Sequence, residues 1–292
     1  MIERGLEILI LLDRRLYATV DQVQTIFEGR PTKTGKERQP KGAENACNRA
    51  CRQLYDSGFV DRVWVLLPRD RFDHYRENFV QVLTPKGLRE VRLHYEQEGE
   101  GRTTRWESAK HRPEELRPFV HPFAVADFWF LLRRQLSGPR FFFGDWHDDK
   151  ELASLRAQGY GFESVPDGFF IAEDAETGKV TPHFVEFDCG KTTIKSYDSQ
   201  KDWIDKIEDY GRYLHTGGRY HEDFPDLADP VVLILTWNNE RHDHILEAVK
   251  EAGGGGAYWV STFDRLREYG LLGRIWRVWT SPELRTLATR FS

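Results

Sequence analysis

The run Val231-Val232-Leu233-Ile234-Leu235 narrows the fold more than any other stretch of the chain. Five consecutive apolar residues leave no polar side for water, so as a strand they need cover on both faces. Such a strand belongs inside a sheet with helices above and below it. The flanking sequence supplies these, with helical patterns at about 199–214 and 241–251 and a short strand at 257–260. Upstream, 140–143, 168–172 and 181–188 read as strands, with a helix at about 148–158 and a polar turn at 173–179. The second part of the chain is therefore expected to be an α/β domain with a mixed central sheet. Trp276 and Trp279 are expected to seal one edge of its core.

The strand ending His183-Phe184-Val185-Glu186-Phe187-Asp188 alternates with period two. Glu186 and Asp188 then share one face, and Val185 and Phe187 the other. Asp167 opens the preceding apolar strand, nineteen residues before Glu186, a hairpin's length of chain. Three carboxylates meeting on adjacent strands repel one another unless a cation sits among them. Asp167, Glu186 and Asp188 are thus candidate ligands for Mg²⁺ or Mn²⁺. Such a metal lowers the pKa of a bound water and polarises a phosphoryl oxygen. The following helix carries Trp203, Lys206, Ile207, Tyr210 and Tyr213 on one face, so Lys206 points either at the acids or out along the sheet. Lys191 and Lys195 are alternative cations, and Glu151 is a further acid within reach.

The amino-terminal part has a different character. Residues 1–94 carry 17 Lys and Arg against 13 Asp and Glu, a balance of +4, within a chain of net charge −5. Seven of those basic residues fall in 30–52, against two acids. On charge alone this is equally a solvated loop or the footprint of a nucleic-acid contact. The element order favours the contact. Helices are expected over 6–12, from Val20, and over 43–57. Strands follow at 60–67 and 78–84, and Thr84-Pro85 opens a fourth helix. Three helices and a two-stranded wing make a winged helix, whose third helix enters the major groove. The DNA-contacting candidates are Lys33, Lys36, Arg38 and Lys41 in the loop, Asn45, Asn48, Arg49 and Arg52 on the helix, and Arg69 and Arg71 in the wing. Domains are therefore expected at 1–94 and 121–292, joined by a polar linker at 95–120.

No apolar run is long enough to span a bilayer, so no membrane partner is expected. Three cysteines, Cys47, Cys51 and Cys189, make no disulfide framework and fit a reducing cytoplasm. Cys47 and Cys51 lack neighbours spaced for zinc and read as small core residues.

Pro166-Asp167-Gly168, Glu186-Phe187-Asp188 and Lys206 together resemble the restriction-endonuclease-like PD-(D/E)xK nuclease superfamily. Its pattern is an Asp followed by Glu-x-Lys on the next strand. The resemblance implies that Asp167 and Glu186 are metal ligands and that Lys206 is a catalytic lysine migrated to the helix. Asp188 departs from the pattern, standing where the lysine is expected. Over nearly its full length the chain resembles the replication-relaxation family of plasmids and integrative elements. The matching stretches are Leu83-Thr84-Pro85-Lys86-Gly87, His121-Pro122-Phe123-Ala124-Val125-Ala126-Asp127, Val185-Glu186-Phe187-Asp188, and Lys206 with Tyr210. That resemblance implies a DNA-binding protein of a plasmid or mobile element. Its implied partners are double-stranded DNA and other replication or mobilisation proteins, with a homodimer as one assembly open to it.

Two functions stay open from sequence. One is a metal-dependent DNA endonuclease or nickase, in which Asp167, Glu186, Asp188 and Lys206 form the catalytic centre. The other is a DNA-binding replication or regulatory protein whose nuclease-like domain is inactive. The acidic balance of −9 in residues 95–292 favours the second, because a negative surface is a poor partner for phosphates.

Overall fold

The computed structural model describes residues 3–27, 40–68, 75–99, 104–106, 112–115, 118–136, 138, 140–190, 194, 202–215 and 219–290. The chain is a mixed α/β protein with two compact units. The first comprises residues 1–69 and 73–130, and the second 131–292 with 70–72.

The first unit runs α1 (Glu3–Arg15), α2 (Val20–Gln24), α3 (Pro40–Asp56), β1 (Val60–Pro68), β2 (Tyr75–Leu83) and α4 (Pro85–Glu98). Local chemistry sets these boundaries. Thr19 and Gln22 form a reciprocal capping box, with the Gln22 side chain accepting the Thr19 N–H at 2.9 Å and the Thr19 hydroxyl accepting the Gln22 N–H at 3.2 Å. Past the end of α3, Gly58 adopts φ +73°, and the Gly58 and Phe59 N–H groups bond back to Tyr55 and Leu54. Thr84 caps α4, accepting the Gly87 N–H at 3.1 Å, and Pro85 occupies the first helical position, where its missing N–H costs nothing. β1 and β2 pair antiparallel from Val60↔Leu83 to Pro68↔Tyr75.

The stretch expected as a linker packs into this first unit. α4 continues to Glu98, and Trp106 is buried. Asp13 near the end of α1 is also buried, and its Oδ1 accepts the N–H groups of Arg105 at 2.8 Å and Trp106 at 3.0 Å, while Tyr95 donates to Oδ2 at 3.3 Å. Further on, the Phe119 N–H bonds to the Leu66 carbonyl at 2.9 Å. The division between units falls at 130/131, inside α5 (Val120–Gln135), and not within 95–120. A buried acid about ninety residues earlier in the chain is one of the groups that tie down the described residues of this stretch.

The second unit continues with β3 (Phe141–Asp148), α6 (Asp149–Ala157), β4 (Gly168–Asp174), β5 (Lys179–Asp188), α7 (Trp203–His215), α8 (Arg219–Asp223), β6 (Val231–Thr236), α9 (Asn239–Glu251), β7 (Tyr258–Thr262), α10 (Phe263–Tyr269), β8 (Trp276–Val278) and β9 (Ser281–Arg285). Among the described residues the seven strands form one sheet in chain order, β3 to β9. The centre, β5-β6-β7, is parallel, and the flanking pairs are antiparallel. All six residues of β6 are buried, as the apolar run requires. One face carries α7 and α9, packed through Trp203, Ile207, Tyr210, Ile245 and Val249. β3 is longer than expected, because a register shift between Phe143 and Trp146 lets it resume and pair to Asp148. Trp276 is fully buried as expected, whereas Trp279 is exposed, and its indole N–H donates to the Gly254 carbonyl. No helix among the described residues is long and apolar enough to cross a membrane.

Replacing Asp13 with Ala strands two buried backbone N–H groups. The expected loss is about 2–4 kcal/mol in the unfolding of the first unit. Urea denaturation checks this, with Asp13→Asn, which keeps one acceptor, losing less.

Candidate functional site

β5 presents Phe184, Glu186 and Asp188 to the layer of α7 and α9, and Phe184 packs on the rings of Tyr210 and Tyr213. Its opposite face packs Phe187 against Phe263 of α10. The alternation therefore places both acids where the sequence put them, and on the covered side of the sheet. Glu186 has no exposed surface. A carboxylate there requires partners, and α7 provides two. Lys206 Nζ lies 2.5 Å from Oε2, and the Tyr210 hydroxyl donates to Oε1 at 2.6 Å. Asp167, just before β4, accepts the Phe187 N–H at 2.8 Å. Gly168 beside it has no room for a side chain, since a Cβ would lie 2.4 Å from the Trp146 ring.

Burial pushes the Glu186 carboxyl up to about 7, with the Asp167 charge adding to the rise and Lys206 and Tyr210 opposing it. Burial pulls the Lys206 ammonium down, but the Glu186 and Asp167 carboxylates outweigh it and hold it above the usual lysine range. Burial, then the adjacent Glu186, raises the Tyr210 phenol well above its ordinary value.

Lys206 thus meets Glu186 within the field of Asp167 and Asp188, while Asp188 has partners of its own. Its two oxygens are engaged by Arg241 of α9, with Nη2 at 2.8 Å from Oδ1 and Nε on Oδ2. Thr236 donates to Oδ2 at 2.9 Å, and the Trp203 indole to Oδ1 at 3.3 Å. The reason is the parallel pairing of β5 with β6. Asp188 is registered against Thr236, and the helix that starts just after β6 delivers Arg241 over the strand ends. Glu151 is also spent elsewhere, accepting the Asp148 N–H at 3.3 Å in the capping box of α6. Lys191 and Lys195 lie outside the described residues.

The superfamily pattern implies a divalent cation, and the described side chains do not fit one as arranged. Both oxygens of Glu186 and both of Asp188 already accept hydrogen bonds from protein donors. No group of three or more His, Cys, Asp or Glu is assembled for a metal among the described residues. Asp188 is the acid of an ion pair with Arg241.

In the first unit, α3 turns Lys41, Asn45, Asn48, Arg49 and Arg52 outward, all exposed, while Ala43, Ala46, Cys47, Cys51 and Leu54 are buried. Cys47 and Cys51 are core thiols 3.9 Å apart. Arg49 donates to the Asn45 carbonyl at 3.3 Å, and Arg52 lies 3.6 Å from Asp56 in an open surface pair. Lys33, Lys36, Arg38, Arg69 and Arg71 lie outside the described residues.

The replication-relaxation family profile matches residues 9–227. The chain belongs to the replication-relaxation family. The matched span includes α3, Asp167, Glu186, Asp188, Lys206 and Tyr210, and it ends before β6, α9 and Arg241. Membership ties the chain to replication or relaxation. Among solved structures, the restriction endonuclease FokI is similar at 9% identity and a TM-score of 0.25, over 91% of this chain and 69% of that one. No curated protein matches the sequence.

Sequence reasoning named Tyr210 on an aromatic face and beside Lys206 in the family resemblance, without pairing it to Glu186, and it missed Arg241 and Thr236. The available signal was the apolar run of β6, whose parallel placement beside β5 brings the next helix start to Asp188.

Because the folded chain holds the Glu186 proton more tightly than the unfolded chain, this group favours folding at low pH. That contribution is lost as pH rises from 4.5 through about 7. Melting temperatures of the wild type and Glu186→Gln across that range are expected to diverge, with the wild type losing ground as pH rises. Asp188→Ala leaves Arg241 uncompensated and should cost about 3–5 kcal/mol, much of it recovered by the Asp188→Ala/Arg241→Ala double variant. Chemical denaturation of the four species of that cycle measures the coupling.

Proposed function

We propose that this family member is a double-stranded-DNA-binding protein of a plasmid or mobile element, acting in replication or relaxation. Its first unit works as a winged helix, with α3 in the major groove and the flanking basic loop and wing on phosphates. The observation that carries this is the outward face of α3. Five polar or basic side chains at positions 41, 45, 48, 49 and 52 line one side of a helix whose other side is core. Asn and Arg suit base edges, and Arg and Lys suit phosphates.

The second unit, in this reading, keeps the layout of a nuclease centre without cleaving DNA. Support comes from the donors already seated on Glu186 and Asp188, which leave the acids serving the fold. One observation favours the endonuclease or nickase reading instead. The Lys206 ammonium stands beside Glu186 and within the field of Asp167, as a migrated catalytic lysine would.

A salt titration of duplex binding by fluorescence anisotropy tests the first part. Arg49→Ala and Arg52→Ala should each weaken binding and lower the log–log salt slope by about 1. Binding unchanged in both variants would remove α3 from the groove. Supercoiled plasmid incubated with Mg²⁺ or Mn²⁺ should stay intact. Nicking by the wild type that Glu186→Ala abolishes would establish the nuclease reading in its place.

A further inference from the structure

The outer face of the β1–β2 ribbon is unlike the rest of the surface. Trp64 is 46% exposed and meets Phe79 edge to face, with centroids 5.5 Å apart at 80°. Tyr55, near the end of α3, is 43% exposed. Between these rings lies Arg62, its guanidinium carbon 4.3 Å from the Tyr55 centroid and 5.0 Å from that of Phe79. No acid pairs with Arg62 among the described residues, and its Nε is buried without an acceptor. The same face holds Arg62 opposite Gln81 and Trp64 opposite Phe79, so strand register fixes the group.

We infer that Tyr55, Arg62, Trp64 and Phe79 form a stacking platform for the unpaired nucleobases of single-stranded DNA. Each element of the platform suits that ligand. In an edge-to-face pair, the ring offering its edge keeps both faces clear of its neighbour, and a base has a flat face to lay on it. A guanidinium within cation–π distance of two aromatic rings adds a cationic surface for bases and a charge for the adjoining phosphate. Bases inside a duplex hide their faces in the stack, so only an unpaired strand presents them. Charge separates this occupant from a protein partner. Among the described residues the cation carries no acid of its own, and Arg52, one turn before Tyr55 on α3, is held in an open surface pair that a phosphate can replace. The platform deepens the DNA-binding reading by adding a second ligand form, and it rests on that reading only for the identity of the unit as a nucleic-acid binder.

The test uses the full chain and fluorescent probes of a thymidine oligodeoxynucleotide, a uridine oligoribonucleotide, an abasic strand of equal length, and a duplex. The wild type should bind the base-bearing strands more tightly than the abasic one. Tighter binding of the RNA strand than of the DNA strand overturns the inference. Trp64→Ala should weaken single-strand binding at least about fivefold, the low end for one lost stacked base, and Trp64→Phe should restore most of it. Duplex binding by Trp64→Ala should fall by less than single-strand binding, since the wing meets a duplex through its phosphates and an unpaired strand through its base faces. Trp64 is exposed, so unchanged thermal melting of the variant shows that folding is not the cause. Equal affinity for the abasic strand overturns the inference. So does an equal loss on duplex and single strand, or loss of self-association in sedimentation with strand binding intact. A wild type that binds duplex but no single strand defeats this inference alone, whereas one that binds no duplex defeats the proposed function.

Discussion

Two carboxylates on one face of a central strand dictate much of what surrounds them. Glu186 and Asp188 stand on β5 under a helix layer, where an ionised acid without a partner costs several kcal/mol, on the order of what holds a whole domain folded. Each is met by a different helix. α7 brings an ammonium and a phenol to Glu186, and α9 brings a guanidinium to Asp188. The aromatic packing of α7, through Trp203, Ile207, Tyr210 and Tyr213, therefore has to keep its register on the sheet to within a side chain. A helix turned by one residue would lift Lys206 away from Glu186.

The acids lie toward the carboxyl ends of the parallel strands, where α/β sheets place their chemistry because helix starts and strand ends converge there. In this chain the convergence satisfies charge internally. Asp188 occupies the strand position at which the nuclease pattern has a lysine, yet a cation is still present there, carried by α9 and bound to the acid.

Much of this was legible in the residues. Period two along β5 put Glu186 and Asp188 on one face, and spacing by three and four put Lys206 on the sheet side of α7. The unbroken apolar run of β6 announced a doubly covered strand, and Thr84-Pro85 marked a helix start. What the sequence could not show were pairings between distant stretches. Asp13 reads as an ordinary polar helix end, and nothing near it says that Arg105 and Trp106 will donate to it. Arg241 sits fifty-three residues beyond Asp188 and becomes its partner only through strand order. The three-acid reading counted the charges on two strands without those that a third strand's helix adds.

The two outermost strands of the sheet bear on how copies of this protein meet. β3 breaks register between Phe143 and Trp146, and β9 carries Pro282 among charged Glu283 and Arg285. An added strand needs a straight row of open amides, and neither rim offers one, since a proline lacks the donor and a shifted register misaligns it. Polymerisation by sheet extension is thereby discouraged at both ends, so an unfolding intermediate that straightened either rim would be the species to watch for during expression at high concentration.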